Sequence, residues 1–231
     1  MKTILLICLC LAVHSASVAG VITGAIHAEG VSATDESSSG AGAYTSRKYK
    51  FAAQVDYSAM HDFVVYLEGQ VDTNSIPSTN VTQVSTTRIA QHGALFSPHV
   101  LPVMVGTTVE WPNDDQIFHN VFSMSDAKEF DLGLYKGNPP EKRVTFDKVG
   151  RVDVYCSIHS NMHCVILVLE NPYFASTDAN GHYIIKDVPP GTYKLKAWHE
   201  RLPADEQEIT VPADGTVKAD FTLTVKNLPK Y

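Results

Sequence analysis

The chain has 231 residues, of which 44% are hydrophobic and 19% are charged, and this globular composition excludes a wholly disordered or fibrous protein. The length allows one large domain or two small ones. With 18 Lys and Arg against 25 Asp and Glu, the formal net charge is −7. This charge disfavours nucleic acid and anionic membrane surfaces as partners and favours a partner protein with a basic docking face.

Residues 1–20 predict a cleaved secretory signal peptide. Lys2 precedes an apolar run from Ile4 to Val13, and small residues lead up to Gly20. The run is shorter than the roughly 20 apolar residues that span a bilayer, and no later stretch of the sequence reaches that length. We therefore expect a periplasmic or secreted protein without a membrane span.

The remainder of the chain predicts an all-β protein of the sandwich type, because short alternating or β-branched stretches are separated by turn residues. Residues 21–88 contain N-terminal strands at 21–29 and 61–69, with a Ser/Gly-rich loop at 30–46 and a second polar loop at 72–87. Further strands are predicted at 100–105, 144–146, 151–155 and 165–169. Those at 144–146 and 151–155 are expected to pair around the turn at 148–150.

Residues 171–231 predict a small antiparallel unit. It begins after the break at Asn171-Pro172 and contains turns at 178–181, 189–191 and 214–215. The predicted strands lie at 182–186, 193–198, 208–211 and 219–225. This part of the sequence contains no evident active site.

The cysteines point to a metal. Loss of the signal peptide removes Cys8 and Cys10, and the mature chain keeps Cys156 and Cys164, which are too few for a disulfide scaffold. His159 and Met162 lie between them. Thiolate, imidazole and thioether form a soft ligand set that suits copper, and two His with one Cys and a long axial Met are typical of an electron-transfer copper site.

The second histidine must come from elsewhere in the chain. His119 is the candidate, on a loop after a strand. Apolar residues near the two histidines are expected to keep water away from the metal. These are Ile117, Phe118, Val121, Phe122 and Ile158.

The C-x2-H-x2-M spacing of Cys156, His159 and Met162, together with the motif His119-Asn120-Val121, resembles the cupredoxins, and amicyanin most of all. The resemblance implies a Greek-key β-sandwich over residues 89–170 that holds one type 1 copper. It also implies that His119, Cys156 and His159 are the strong ligands and that Met162 is the weak axial ligand.

Two further roles follow from the same resemblance. Asn120 would hold the cysteine loop by hydrogen bonds. Ser157 would likewise belong to the layer of residues that surrounds and supports the ligands. His159 would be the entry point for electrons, because its loop position leaves one edge of the ring exposed. The sequence departs from the family at Ile158, where proline is common, and at Cys164, where glycine is usual.

Residues 177–195 resemble the carboxypeptidase regulatory-like (transthyretin-like) β-sandwich, with an alternating strand, a Pro-Gly turn and a second alternating strand. The segment 171–231 lacks two earlier strands of that family. Either residues 21–70 supply them, which makes this domain discontinuous, or those residues extend the cupredoxin sheet. The combined layout is similar to that of bacterial exported methylamine utilization or plastocyanin-like proteins.

Several alternatives stay open. Cys156, His159, His163 and Cys164 have the ligand types of a zinc site, although four ligands would crowd one short segment. Cys156 and Cys164 are also candidates for a plain disulfide. For function, we expect a one-electron carrier and no enzyme, because the chain has no His-x-His pair of the kind that multi-copper enzymes use. The alternative is a structural copper-binding β-sandwich protein without redox turnover.

Overall fold

A computed structural model describes residues 19–30, 55–71, 86–137, 139 and 142–225. The predicted signal peptide up to residue 18 lies outside the described residues, as does nearly all of the Ser/Gly-rich loop and most of the polar loop at 72–87. Within the described ranges, none of the helices has the length and apolar character needed to cross a membrane.

The regular elements of the described residues are β-strands and one short 3₁₀ helix, Tyr57–Ala59. The first strands are β1 (Gly20–Glu29), β2 (Val64–Leu67), β3 (Thr86–Arg88), β4 (Ala90–His92), β5 (Leu95–Ser97), β6 (Val100–Met104), β7 (Thr107–Glu110), β8 (His119–Ser125) and β9 (Lys128–Tyr135). The others are β10 (Arg143–Phe146), β11 (Gly150–Tyr155), β12 (His163–Leu169), β13 (Phe174–Ser176), β14 (His182–Val188), β15 (Gly191–His199), β16 (Leu202–Val211), β17 (Thr216–Lys218) and β18 (Phe221–Thr224). The all-β prediction is confirmed.

The first sandwich contains strands β3 to β12. One sheet has the order β6-β12-β11-β8-β9, the other has the order β10-β7-β3, and β4 pairs with β5. Its core includes Trp111, Phe146, Val154 and Ile166, all of them buried. Alternate residues of β10, β11 and β12 face this core, as is usual for strands.

One predicted pairing in this sandwich is wrong. Strands β10 and β11 do not pair with each other around the turn before Gly150. Instead, β10 pairs with β7, while β11 pairs with β12 and β8 in the opposite sheet. Both strands bury alternate apolar side chains in the same core. Alternation therefore located each strand, but it did not reveal that the chain crosses from one sheet to the other between them.

The second sandwich combines the N-terminal and C-terminal strands. Strand β1 pairs with β14, β17 and β18, and β2 pairs with β13 and β15. Gly24 permits the close approach of β1 to the connection between β17 and β18, because a Cβ there would collide with the Ala219 carbonyl. The two N-terminal strands thus pair with strands that follow β12, as a discontinuous domain requires. If residues 21–70 extended the first sandwich, they would pair with strands of that sandwich instead.

Strand β12 joins the two sandwiches because both of its faces are buried. Cys164, Ile166 and Val168 point into the first core. The alternate residues Val165, Leu167 and Leu169 form a separate cluster with Val64 of β2 and Val100 of β6, and Trp198 packs against it. The loop that precedes β12 is therefore anchored to a strand that is fixed from both sides.

Candidate metal centre

Three predicted ligands converge at one end of the first sandwich. His119 Nδ1 lies 3.0 Å from His159 Nδ1, and Cys156 Sγ lies 3.6 Å from the same His159 nitrogen. One ligand atom from each of the three residues lies within 4.8 Å of the other two. Donor atoms bound to one ion at about 2.0–2.3 Å have separations of this order. The three side chains could therefore hold one metal ion.

The three side chains are held by two strands and one short loop. His119 is the first residue of β8 and pairs with Tyr135 of β9, whereas the sequence placed it on a loop. The loop expectation was wrong because the β8–β9 ladder already begins at His119, the first of three consecutive buried residues of β8. Cys156 directly follows β11.

The loop that carries His159 and Met162 folds back on itself. The Cys156 N–H donates to the Met162 carbonyl at 3.2 Å, and the Met162 N–H donates to the His159 carbonyl at 3.1 Å. The Met162 side chain is buried and belongs to the same core cluster as Cys156. The backbone thus fixes the spacing of the three donors in this loop before any metal binds.

Asp115 orients His119, and the sequence did not single out this residue as part of the site. His119 Nε2–H donates to Asp115 Oδ2 at 2.8 Å. Since a carboxylate can only accept this bond, Nε2 carries hydrogen, and the tautomer with hydrogen on Nε2 alone has the lone pair of Nδ1 on the side of His159. A carboxylate on the far nitrogen of a histidine is the usual support of a metal ligand.

Asp115 is itself held by backbone groups of another segment. The N–H groups of Gly93 and Ala94, in the turn between β4 and β5, donate to its two carboxylate oxygens at 2.7 and 2.9 Å. The Ala94 hydrogen bond, together with those from His119 and Gly93, outweighs burial and lowers the pKa of Asp115 to about 2. The aspartate therefore stays ionised at every pH at which the protein is expected to work.

Asn113 shapes the loop between β7 and β8. Its side-chain amide donates to the Ile117 carbonyl at 2.9 Å and to the Tyr135 carbonyl at 3.1 Å, and its Oδ1 accepts the Asp115 N–H at 3.0 Å. Asn113 is buried. It is a second supporting residue that the motifs did not reveal, although an Asn side chain that bonds to the backbone two residues further on is a frequent turn pattern.

The two residues predicted to support the ligands differ in outcome. The Asn120 backbone N–H donates to Cys156 Sγ at 3.5 Å, while its side chain donates to Asp131 Oδ1 at 2.6 Å, on β9 and away from the cysteine loop. Asn120 thus reaches the cysteine through its backbone. Ser157 is exposed, and among the described residues no hydrogen bond joins its side chain to the ligands.

The apolar shield is smaller than predicted. Val121 is buried in the core, but Ile117, Phe118 and Ile158 are exposed, and Phe122 is only partly buried. The exposed residues lie one or two positions before His119 or His159 in the chain. They therefore form apolar surface next to the histidines in the chain and are not part of a buried shield.

The geometry favours the three-ligand group over the two alternatives. Cys156 and Cys164 are both free thiols, so the structure contains no disulfide between them. Cys164 is fully buried opposite Val154, and burial raises the pKa of its thiol well above the usual range, which makes it a poor metal ligand. His163 contacts Asp153 and His99 instead of joining a four-ligand zinc site.

Acid should weaken the metal-free protein through Asp115. Because folding lowers the pKa of this carboxyl from 3.8 to about 2, its stabilising contribution is complete above about pH 4 and is lost as the pH falls towards 2. We expect the difference in unfolding free energy between the native protein and Asp115→Asn to be constant above about pH 4 and to shrink as the pH falls below it. Urea unfolding at a series of pH values measures this difference, and a difference that does not change with pH would contradict the assignment.

The donor set fits copper. One thiolate and two imidazoles, with a buried thioether in the same loop, combine the soft ligands that select copper with the nitrogen ligands that copper shares with other metals. His119, Cys156 and His159 would hold the ion, and Met162 is the nearby candidate for a weak fourth ligand.

One part of the chain matches a known family. Residues 165–224 match the family model of the carboxypeptidase regulatory-like domain. The resemblance read from residues 177–195 is thus confirmed, and the match begins within β12. A search of curated proteins found no match.

Solved structures similar to this chain include copper proteins. A Cu-containing nitrite reductase from Thermus scotoductus is 29% identical over 37% of this chain and 23% of its own, with a TM-score of 0.35. A purple cupredoxin from Nitrosopumilus maritimus is 27% identical over 36% of this chain and 98% of its own, with a TM-score of 0.31. A reduced Cu(I) form of an amicyanin variant is 22% identical over 38% of this chain and 85% of its own, with a TM-score of 0.32. Cupredoxins, one of the two families named from the sequence, are thus among the structures to which this chain is similar.

Proposed function

We propose that this protein is an exported one-electron carrier with a single type 1 copper. The observation that carries the proposal is the convergence of His119, Cys156 and His159 within 4.8 Å at the end of a rigid β-sandwich. The bound copper would supply the chemistry, a change between Cu(I) and Cu(II). The predicted signal peptide at residues 1–20 supports a periplasmic or secreted location.

A carrier needs ligands that move little when the charge at the site changes. His119 is held at both ends, by its place at the start of β8 and by Asp115. Cys156 is held by the Asn120 N–H at its sulfur and by the Met162 carbonyl at its backbone. Because these groups are fixed by the protein, little reorganisation is needed when an electron arrives or leaves.

His159 is the expected route for electrons. Its side chain is only partly buried, whereas His119 has no exposed surface and Cys156 is 7% exposed. Ile117, Phe118 and Ile158 form exposed apolar surface beside the two histidines. A redox partner that packs on this patch and presents a basic face to an acidic protein fits both features.

The proposal assigns no substrate and no catalytic residue to the chain. The open alternative is a protein that binds copper as a structural or carried ion without redox turnover. The partial exposure of His159 favours the carrier, because an electron can reach the site through a ligand that a partner protein can approach.

Copper loading tests the proposal directly. The chain produced without residues 1–20 is loaded with one equivalent of Cu(II) and examined by optical and EPR spectroscopy. We expect an intense blue colour that ascorbate bleaches, because a thiolate bound to Cu(II) gives strong charge-transfer absorption. A colourless Cu(II) adduct, or a colour that ascorbate does not remove, would contradict the carrier.

A further inference from the structure

A second group of metal-ligating side chains lies where the two sandwiches meet. It contains His99, His163 and Glu200, and one ligand atom of each lies within 4.8 Å of the others. His99 directly precedes β6, His163 is the first residue of β12, and Glu200 lies in the turn between β15 and β16. The first two ligands belong to the first sandwich and the third to the second sandwich. The group shares no residue with the site of His119, Cys156 and His159.

His99 is oriented towards the carboxylate. Its Nδ1 lies 3.2 Å from the His163 carbonyl, and because a carbonyl can only accept, this nitrogen carries hydrogen. Its Nε2 lies 3.1 Å from Glu200 Oε2, which is also an acceptor. Two acceptor atoms repel each other at this distance unless a positive species lies between them. That species is either a second proton on the ring or a bound cation.

Glu200 is available as an anionic ligand. Its side chain is only 11% exposed, and Arg201 Nε lies 3.3 Å from Oε1, which leaves Oε2 for His99. Burial acts to raise the pKa of Glu200, but the His99 hydrogen bond and the neighbouring positive charges lower it overall. The carboxylate is thus charged at neutral pH. Arginine contacts only one of its two oxygens, Oε1.

His163 has the support that metal-binding histidines usually have. Its Nε2 lies 3.1 Å from Asp153 Oδ1, and its ring stacks on Tyr155 at 4.8 Å between centroids. Asp153 is fixed in turn by two hydrogen bonds from Arg151, at 2.9 and 2.6 Å. Arg151 also donates to the Glu200 backbone carbonyl at 3.1 Å, which holds the turn of the second sandwich against the first.

We propose that His99, His163 and Glu200 bind a divalent first-row transition metal ion of the class of Zn²⁺. Two imidazoles and one carboxylate are a ligand set for such ions, and three protein ligands at a partly exposed position leave room for water. The ion would cross-link the two sandwiches through the start of β6, the start of β12 and the turn after β15. The site does not depend on copper at the first site.

The test is a calorimetric titration with Zn²⁺. The chain is first loaded with one equivalent of Cu(I), which the soft Cys and Met donors of the first site select. We expect one Zn²⁺ to bind per chain. The Glu200→Gln variant should bind Zn²⁺ at least about tenfold more weakly, since even the loss of a hydrogen-bond partner of a metal ligand weakens binding about tenfold or more. Asp178→Asn is the matched control, because Asp178 forms an exposed pair with the single histidine His182 at 3.5 Å.

Several outcomes separate the hypotheses. Equal Zn²⁺ affinity in the native chain and in Glu200→Gln would overturn the proposal and leave a simple His–Glu ion pair. If Glu200→Gln does not fold, as judged by circular dichroism, His99→Gln replaces it with the same expectation. Repeating the titration on metal-free Cys156→Ala makes the result independent of the copper proposal, since binding that depends on Glu200 should persist there even if the native chain never turns blue.

Discussion

Replacing Cys156 by alanine is expected to abolish the intense colour of the copper-loaded chain. The Cys156 sulfur is the one thiolate donor in the group, and it lies 3.6 Å from His159 Nδ1 while accepting the Asn120 N–H. Without it, copper would retain imidazole ligands and give only weak absorption, since the strong band requires a thiolate. The absorption and EPR spectra of Cys156→Ala measure this loss.

Cys164 provides the matched control within the same chain. It is also a buried cysteine, but it lies in β12 opposite Val154 and its thiol resists ionisation. We expect Cys164→Ala to keep the blue band, with a modest loss of stability from the small cavity it creates. Loss of the band in Cys164→Ala and its retention in Cys156→Ala would show that the assignment of the thiolate is wrong.

The ligand loop was predictable because its information is local. Cys156, His159 and Met162 lie within seven consecutive residues, and the short loop that connects β11 to β12 has few ways to present three donors. His119 was found through a motif and not through its spacing along the chain. The structure places its ring 4.8 Å (centroid to centroid) from the His159 ring.

The support of the ligands was not predictable, because it depends on contacts between distant segments. Asp115 reaches Gly93 and Ala94, 22 and 21 residues away, and Asn113 reaches Tyr135, also 22 residues away. Nothing in the local sequence distinguishes Asp115 from Asp114. Only the packing of the β4–β5 turn against the loop before β8 gives one of these aspartates a role at the site.

The same distinction applies to the fold. Alternation of apolar residues located most strands, since burial of one face leaves a local trace. Alternation does not determine which sheet a strand joins. The predicted pairing of β10 with β11 was therefore wrong. The group of His99, His163 and Glu200 also comes from long-range packing, because His99 and Glu200 are 101 residues apart in the chain and meet only where the sandwiches touch.

Asp115 is expected to matter for copper affinity, although it would not touch the metal. Its carboxylate accepts hydrogen bonds from the His119 ring and from two backbone N–H groups, so it fixes both the ring orientation and the tautomer. An asparagine has one oxygen, and its amide nitrogen cannot accept from Gly93 or Ala94. In Asp115→Asn at least one of these three bonds is lost, and the negative charge that makes His119 a stronger donor is removed.

We therefore expect Asp115→Asn to bind copper about 10–100-fold more weakly than the native chain, as is typical when the hydrogen-bond partner of a metal-binding histidine is removed. Competition with a chelator of known affinity measures the change. Asp114→Asn is the matched control, because its carboxylate is more exposed and contacts Arg88 at 3.5 Å instead of a ligand. Equal copper affinities in the two variants would mean that His119 is positioned by β8 alone. A loss confined to Asp115→Asn would instead show that ligand strength at this site is set by a contact from the β4–β5 turn.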